Sequence, residues 1–317
     1  MLRIFIAGGT GVIGRRVVAA LVSAGHHVTA ASRSHEGRAR LAALGAEPVA
    51  MNMNDEQDVS RAVGKQDVVI NLATHIPTST TKMLFVSSWR ENDQVRRVGS
   101  KNIVIAARSG GADCVIQESF AGIYEEGGDK WIDEKWAVRP ARYNRSVLDA
   151  ETSASQFTKW GGRGVVLRFA NFYGPDSYVT REMIGMVRKG VSPLLGPSAA
   201  YFSSVSHDDA ASAVMDALHA PAGIYNVSDD EPLTRGEWIA SLAKAVGVGM
   251  PRPIPWWLAK LGGSTAELLS RSQRLSNKKL RDVTDWRPAA ASVREAWPRI
   301  VEEISATGDG RRATGGG

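Results

Sequence analysis

Apolar and polar positions fall into alternating blocks along the first half of the chain. "LRIFIAG" (2–8) is a short apolar run that ends in glycines. "GRRVVAALVSAG" (14–25) follows with helical spacing, which places Val17, Val18, Leu21 and Val22 on one face. The same rhythm predicts strands at 26–32, 47–52, 67–73, 113–119 and 163–170. It predicts helices at 37–45, 55–64, 82–109 and 141–159. Continuous apolar strands alternating with helices imply a parallel sheet covered on both faces.

After about residue 170 the rhythm breaks. "NFYGPDS" reads as a turn-rich loop, "YVTREMIGMVRKG" and "DDAASAVMDALHAP" as helices, and "GIYNVSD" (223–229) as a short strand. "TRGEWIASLAKAVG" (234–247) is a further helix, with Thr234 and Glu237 spaced as a capping box. These features predict a dinucleotide-binding unit over 1–171, to which 205–227 returns. Residues 172–204 and 228–303 would form a smaller substrate lobe, with Trp256 and Trp257 packed inside it. The glycine-rich stretch 304–317 reads as a disordered tail.

Composition narrows the function classes. The net charge is +6, but the basic residues are scattered, with no long run and no aromatic interleaving. That pattern predicts a solvated surface and no nucleic-acid partner. No apolar run reaches the ~18 residues of a membrane span. Cys114 is the only cysteine, so no intramolecular disulfide forms, and a cytoplasmic location is expected. The histidines show no metal-ligand spacing, so no metal is expected.

The chemistry begins at "IAGGTGVIGRRVV", where Gly8, Gly11 and Gly14 are separated by two residues each. The loop follows a strand and opens a helix, with Thr10, Val12 and Ile13 between the glycines. Glycines there let backbone N–H groups approach a diphosphate at the helix N-terminus. At the end of the second strand an NAD site usually carries Asp or Glu for the ribose hydroxyl. This chain has Ser32 and Arg33 there, with Arg38 close behind. A guanidinium suits a 2′-phosphate, which favours NADP over NAD.

With "NLAT", "LRFANFYGP", "VSHDDAA", "YNVSDDEPLT" and "SNKKLRDVTDWRP" added to that loop, the chain resembles the extended short-chain dehydrogenase/reductases, the NAD-dependent epimerase/dehydratase family. The resemblance covers about residues 1–300. It implies a Rossmann fold: a doubly wound α/β parallel sheet with a smaller, mostly helical C-terminal lobe. It implies that Asn52 and Met53 border the adenine and that Leu72, Ala73 and Thr74 line the middle of the cofactor. Asn171, with Phe120 and Tyr124 near the fifth strand, would meet a small-molecule substrate. Family members often pair through helices like 82–109 and 141–159, so a homodimer is expected.

The catalytic positions depart from the family. Its tyrosine matches Tyr143, but its lysine falls on Val147. Its Ser or Thr falls on Phe120, with Ser119 one residue earlier. A free tyrosine has a pKa of ~10 and is a poor base without a cation beside it. Glu118, closing the fifth strand, is an alternative acid or base, or the ion-pair partner of an arginine such as Arg168. His207–Asp208–Asp209 fits a structural element in which Asp208 caps a helix. The expected function is an NADP-dependent epimerase/dehydratase-like enzyme acting on a hydroxy or keto compound through Tyr143 and Ser119. The losses leave two alternatives open. One is a non-redox isomerase, cyclase or lyase using Glu118 and Tyr143. The other is a non-enzymatic NADP sensor.

Overall fold

The computed structural model describes residues 1–77, 86–253 and 263–313. Seven parallel strands form the central sheet: β1 (Arg3–Ala7), β2 (His27–Ala31), β3 (Glu47–Val49), β4 (Val68–Asn71), β5 (Cys114–Phe120), β6 (Arg163–Phe169) and β7 (Gly223–Val227). Their order is β3–β2–β1–β4–β5–β6–β7. β1 has β2 on one side and β4 on the other, so the walk across the sheet reverses there. A crevice opens at the carboxyl ends of the strands at such a point.

Strand alternation divides the core. Ile4, Ile6, Val68, Ile70, Cys114, Ile116, Val165 and Leu167 face one layer, which contains α1 (Val12–Ser23) and, later in the chain, helix His207–Asp216. Phe5, Ala7, Val69 and Val115 face the other, against Val59 and Val63, Ile103 and Ala107, and Phe157. Those contacts come from helices Glu56–Val63, Ser100–Ser109 and Val147–Lys159. Both faces are covered, which is why the strands are apolar throughout. Burial pushes the Cys114 thiol up to about 11, so it is an apolar filler.

The lobe has its own core. Trp238 and Trp297 meet edge to face with ring centroids 5.0 Å apart, and Tyr173 and Phe202 join them. The helices around them are Tyr178–Arg188, Arg235–Val246 and Val293–Ala313. The Thr234–Glu237 capping box forms as its spacing predicts.

Four local expectations are corrected. The stretch 86–109 is not one regular helix: it runs through a 3₁₀ turn (Val86–Trp89), a short α segment (Arg90–Gln94) and a wide π turn (Val95–Gly99) before Ser100–Ser109. The π turn carries Arg96 into the interior and seats Gly99 against Met53, where a Cβ would lie 2.8 Å from the methyl group. In 141–159, residues Arg142–Asn144 form a 3₁₀ turn and the helix starts at Val147, so Tyr143 precedes the helix. Ser206, not Asp208, caps helix His207–Asp216, its side chain accepting from the Asp209 N–H. The last helix continues to Ala313, into the stretch that composition assigns to a tail, because buried Ile300 and Ile304 anchor turns that propagate beyond them. Residues 82–85, Trp256, Trp257 and 314–317 lie outside the described residues.

Asp229 sits buried at the junction of the lobe with the sheet domain, accepting from the Tyr173 hydroxyl at 3.2 Å. Burial, then the charge of Asp209, holds its carboxyl well above the usual carboxylate range. A raised folded pKa means that this group's stabilisation is full at low pH and is lost as pH rises through that pKa. Asp229→Asn removes the titration. Its thermal midpoint is therefore expected to rise relative to wild type as the pH rises from 5 to 8. Equal offsets at both pH values in thermal unfolding would refute the assignment.

Candidate active site and cofactor cleft

The glycine loop separates what the fold needs from what a ligand needs. Gly8 has φ +82°, and a Cβ on it would lie 2.5 Å from the Leu72 carbonyl carbon. A Cβ on Gly14 would lie 2.0 Å from the Gly8 carbonyl oxygen. Both glycines are therefore fixed by contact within the protein: β1 against the end of β4, and α1 against the loop. Gly11 is different. It is exposed, it starts α1 without a side-chain cap, and its nearest neighbour would be 3.3 Å away. Space lies in front of the α1 N-terminus where a diphosphate would approach. Thr10 is exposed beside it, and Val12 and Ile13 are half-buried.

The ends of β2 and β4 frame the same cleft. Arg38 Nη1 donates to the carbonyls of Ser32 and Arg33, at 3.2 and 3.1 Å, and steadies that turn. Arg33 reaches Glu91 at 3.0 Å, and the other oxygen of Glu91 lies 3.1 Å from His75 Nε2. Leu72 donates its N–H to the Ala7 carbonyl, and Ala73 donates to the Asn71 side chain. Thr74 is half-buried next to them. Asn52 accepts from the Asn54 N–H, and the Met53 carbonyl accepts from Asn102.

At the carboxyl ends of β5 and β6 the candidate acid–base groups are already engaged. Glu118 is paired with Arg96 at 3.0 Å, both buried, so the expected partner Arg168 is replaced by an arginine from the π turn. Arg168 instead holds Glu151 through two contacts of 2.7 Å. Ser119 donates to the same Glu151 at 2.5 Å and does not face the cleft. Tyr124 is fully buried; its hydroxyl donates to Asn226 at 2.8 Å and its ring lies 4.8 Å from the Arg168 guanidinium carbon. It therefore does not reach a substrate. His207, hydrogen-bonded to Asp176 and pushed down to about 4 by burial and then Arg16, is likewise structural.

Tyr143 remains. Its ring packs on Trp89, with centroids 4.8 Å apart, and on Phe120 and Leu268. Burial raises its hydroxyl to about 12, against the opposing pull of Arg96 and Arg271. Among the described residues nothing hydrogen-bonds that hydroxyl. Val147 is fully buried and brings no charge.

Beside this cluster lies a cavity of about 20 Å³, lined by Phe120, Asn171, Tyr201, Phe202, Arg235 and Gln273 among others. Asn171 donates its amide to the Ser203 carbonyl at 3.0 Å. Arg96, Glu151 and Arg235 are the residues that sequence reasoning passed over. Arg235 alone carried a local signal: a cation in the first turn of a helix opposes the helix dipole.

Known proteins share this fold. The model of the NAD dependent epimerase/dehydratase family matches residues 4–228. The chain belongs to that family. A curated relative, the 3-diazoavenalumate denitrifying reductase of a Streptomyces species, is 28% identical over 316 residues, 94% of this chain and 100% of its own length. The human epimerase family protein SDR39U1, solved with NADPH, superposes with a TM-score of 0.79 at 19% identity, over 95% of this chain and 99% of its own. UDP-glucose 4-epimerase from Thermus thermophilus, solved with NAD, gives 0.76 at 25% identity, over 96% and 99%. The chain is thus an NAD(P)-binding member of a family of nicotinamide enzymes with reductase relatives. Among the described residues, no helix is long and apolar enough to cross a membrane.

Gly11→Ala is expected to keep stability within about 1 kcal/mol, because glycine there only caps a helix. It should weaken NADPH binding at least about tenfold, since the added methyl group meets the approaching diphosphate. Gly14→Ala should cost about 3 kcal/mol by overpacking. Urea unfolding with fluorescence titration of NADPH checks both; a Gly11→Ala protein that binds normally contradicts the cleft.

Proposed function

We propose that this protein is a cytoplasmic, NADPH-dependent reductase whose acceptor carries its own electron sink. One observation supports this most: the phenol of Tyr143 is held near pKa 12 by burial, with valine where the family has lysine. Such a phenol is a poor base and a weak acid at neutral pH. Phe120 offers no hydrogen bond, and the Ser119 hydroxyl is spent on Glu151. The site is therefore poorly equipped to protonate an oxyanion but keeps its cofactor cradle. When bound, NADPH supplies a hydride to carbon. Replacing dinitrogen on an aryl diazonium carbon by hydride needs no proton, because the C–N electron pair leaves with N₂; reducing a carbonyl to an alcohol needs one. The reductase relative, whose name specifies a diazo substrate and denitrification, supports an acceptor of that class. Non-redox catalysis through Glu118 is disfavoured by its ion pair with Arg96.

A second reading rests on the Tyr143 hydroxyl, which has no hydrogen-bond partner among the described residues: carbonyl reduction with that phenol as proton donor. Steady-state turnover separates the two. In Tyr143→Phe, kcat/KM for an aryl diazo acceptor is expected to change less than about tenfold, while loss of a needed donor costs roughly 10²–10³. A loss of that size in the variant, or turnover of ketones but not of the diazo compound, overturns the first reading.

The cofactor preference rests on Arg33 and Arg38. Their joint change to alanine should weaken NADPH binding by roughly tenfold to a hundredfold and leave NADH binding little changed, as expected for charge-assisted contacts to a phosphate. Equal losses for both cofactors would remove the 2′-phosphate assignment.

A further inference from the structure

Glu91 joins the two rims of the cofactor cleft. One of its carboxylate oxygens lies 3.0 Å from Arg33 Nη1, just beyond the end of β2. The other lies 3.1 Å from His75 Nε2, just beyond the end of β4. β1 stands between β2 and β4 in the sheet, so a carboxylate that reaches both rims lies across the end of β1, in front of the glycine loop. The span is about two strand spacings, ~10 Å. A dinucleotide laid along the cleft has to pass this bridge.

The two ends of the bridge differ. On the β4 side the segment Arg90–Gln94 is anchored: the His75 N–H donates to the Asn92 side chain at 2.8 Å, and Asn92 is fully buried. On the β2 side both partners face solvent, with 69% of the Arg33 side chain and 50% of that of Glu91 exposed. An exposed ion pair of this kind is weak, a factor of about two to five in an equilibrium constant. Arg38 does not compete for Glu91, because its Nη1 is held by the Ser32 and Arg33 carbonyls. Among the described residues, Glu91 is the one carboxylate paired with either arginine. A phosphate monoester carries close to two negative charges and offers three acceptor oxygens, so it is the stronger partner for a guanidinium.

We infer that Glu91 is a displaceable counter-ion for Arg33: it yields the guanidinium to the 2′-phosphate when NADPH binds and takes it back as NADP⁺ leaves. His75 still holds the carboxylate while Arg33 is away, so the exchange leaves Glu91 with a partner. The hold on the phosphorylated cofactor is thereby loosened and its release quickened. NADH has no 2′-phosphate to claim Arg33 and is untouched. Glu91 thus sets cofactor selectivity without meeting a reacting atom. The inference rests on the assignment of Arg33 to the 2′-phosphate, and not on the nature of the acceptor.

The test is binding, not turnover. Association and release of NADPH and NADH are followed by stopped-flow fluorescence at low ionic strength, where surface charge acts most strongly. Glu91→Gln should hold NADPH about twofold to fivefold more tightly than wild type, mostly through slower release, and bind NADH as wild type does. In an Arg33→Ala background most of that gain should disappear. Both side chains are exposed, so neither change strains the core. NADPH binding that is unchanged or weaker in Glu91→Gln, an equal shift for both cofactors, or a gain of full size without Arg33 would each overturn the inference. Selective loss of NADPH in Arg33→Ala with a silent Glu91→Gln keeps the 2′-phosphate assignment and removes only the exchange. Equal losses of both cofactors in Arg33→Ala remove the assignment, and the exchange with it.

Discussion

Two buried ion pairs hold the carboxyl edge of the sheet. Arg96–Glu118 ties the π turn before helix Ser100–Ser109 to β5, and Arg168–Glu151 ties β6 to helix Val147–Lys159. Removing one partner of such a pair strands a charge in the interior, at a cost of about 3–5 kcal/mol. The second pair also organises its surroundings. Ser119 adds a hydrogen bond to Glu151, and the Tyr124 ring lies on the guanidinium of Arg168 while its hydroxyl reaches Asn226 on β7. Three strands are thereby locked at the edge where the family does its chemistry.

The lock consumes the polar groups that a proton relay would use. Glu118 and Ser119 are held by structure, Phe120 and Val147 are apolar, and Tyr143 is left in an aromatic cluster that disfavours its charged form. None of this touches the glycine loop or the arginines at the end of β2. The cofactor cleft and the acid–base site are separable in this fold, because one is built from backbone close approach and the other from side chains. A chain can keep the first and rebuild the second.

The sheet was legible in the sequence because strands buried on both faces leave continuous apolar runs, and the glycine spacing reports a steric demand within the loop. Gly8 and Gly14 could be read that way; that Gly11 differs from them shows only in the folded loop, where a Cβ on it would lie 3.3 Å from its nearest neighbour. The departures at positions 120 and 147 were also visible. The partners were not: Glu118 was expected near Arg168, yet Arg96 takes it, because a π turn rotates that arginine inward and no local pattern predicts such a turn. Tyr124 was expected near substrate but is drawn into the core by Asn226, a contact 102 residues away. Tyr143 falls in a 3₁₀ turn ahead of its helix, a boundary that periodicity does not resolve.

The central claim is that this site transfers hydride to carbon without a tyrosine–lysine relay. Single turnover of an aryl diazo acid with NADPH carrying deuterium on the transferring face of its C4 tests it most directly. The account predicts one deuterium on the carbon that held nitrogen, with N₂ released and NADP⁺ formed in equal amounts. Solvent hydrogen at that carbon, or turnover that leaves NADPH unoxidised, would contradict it.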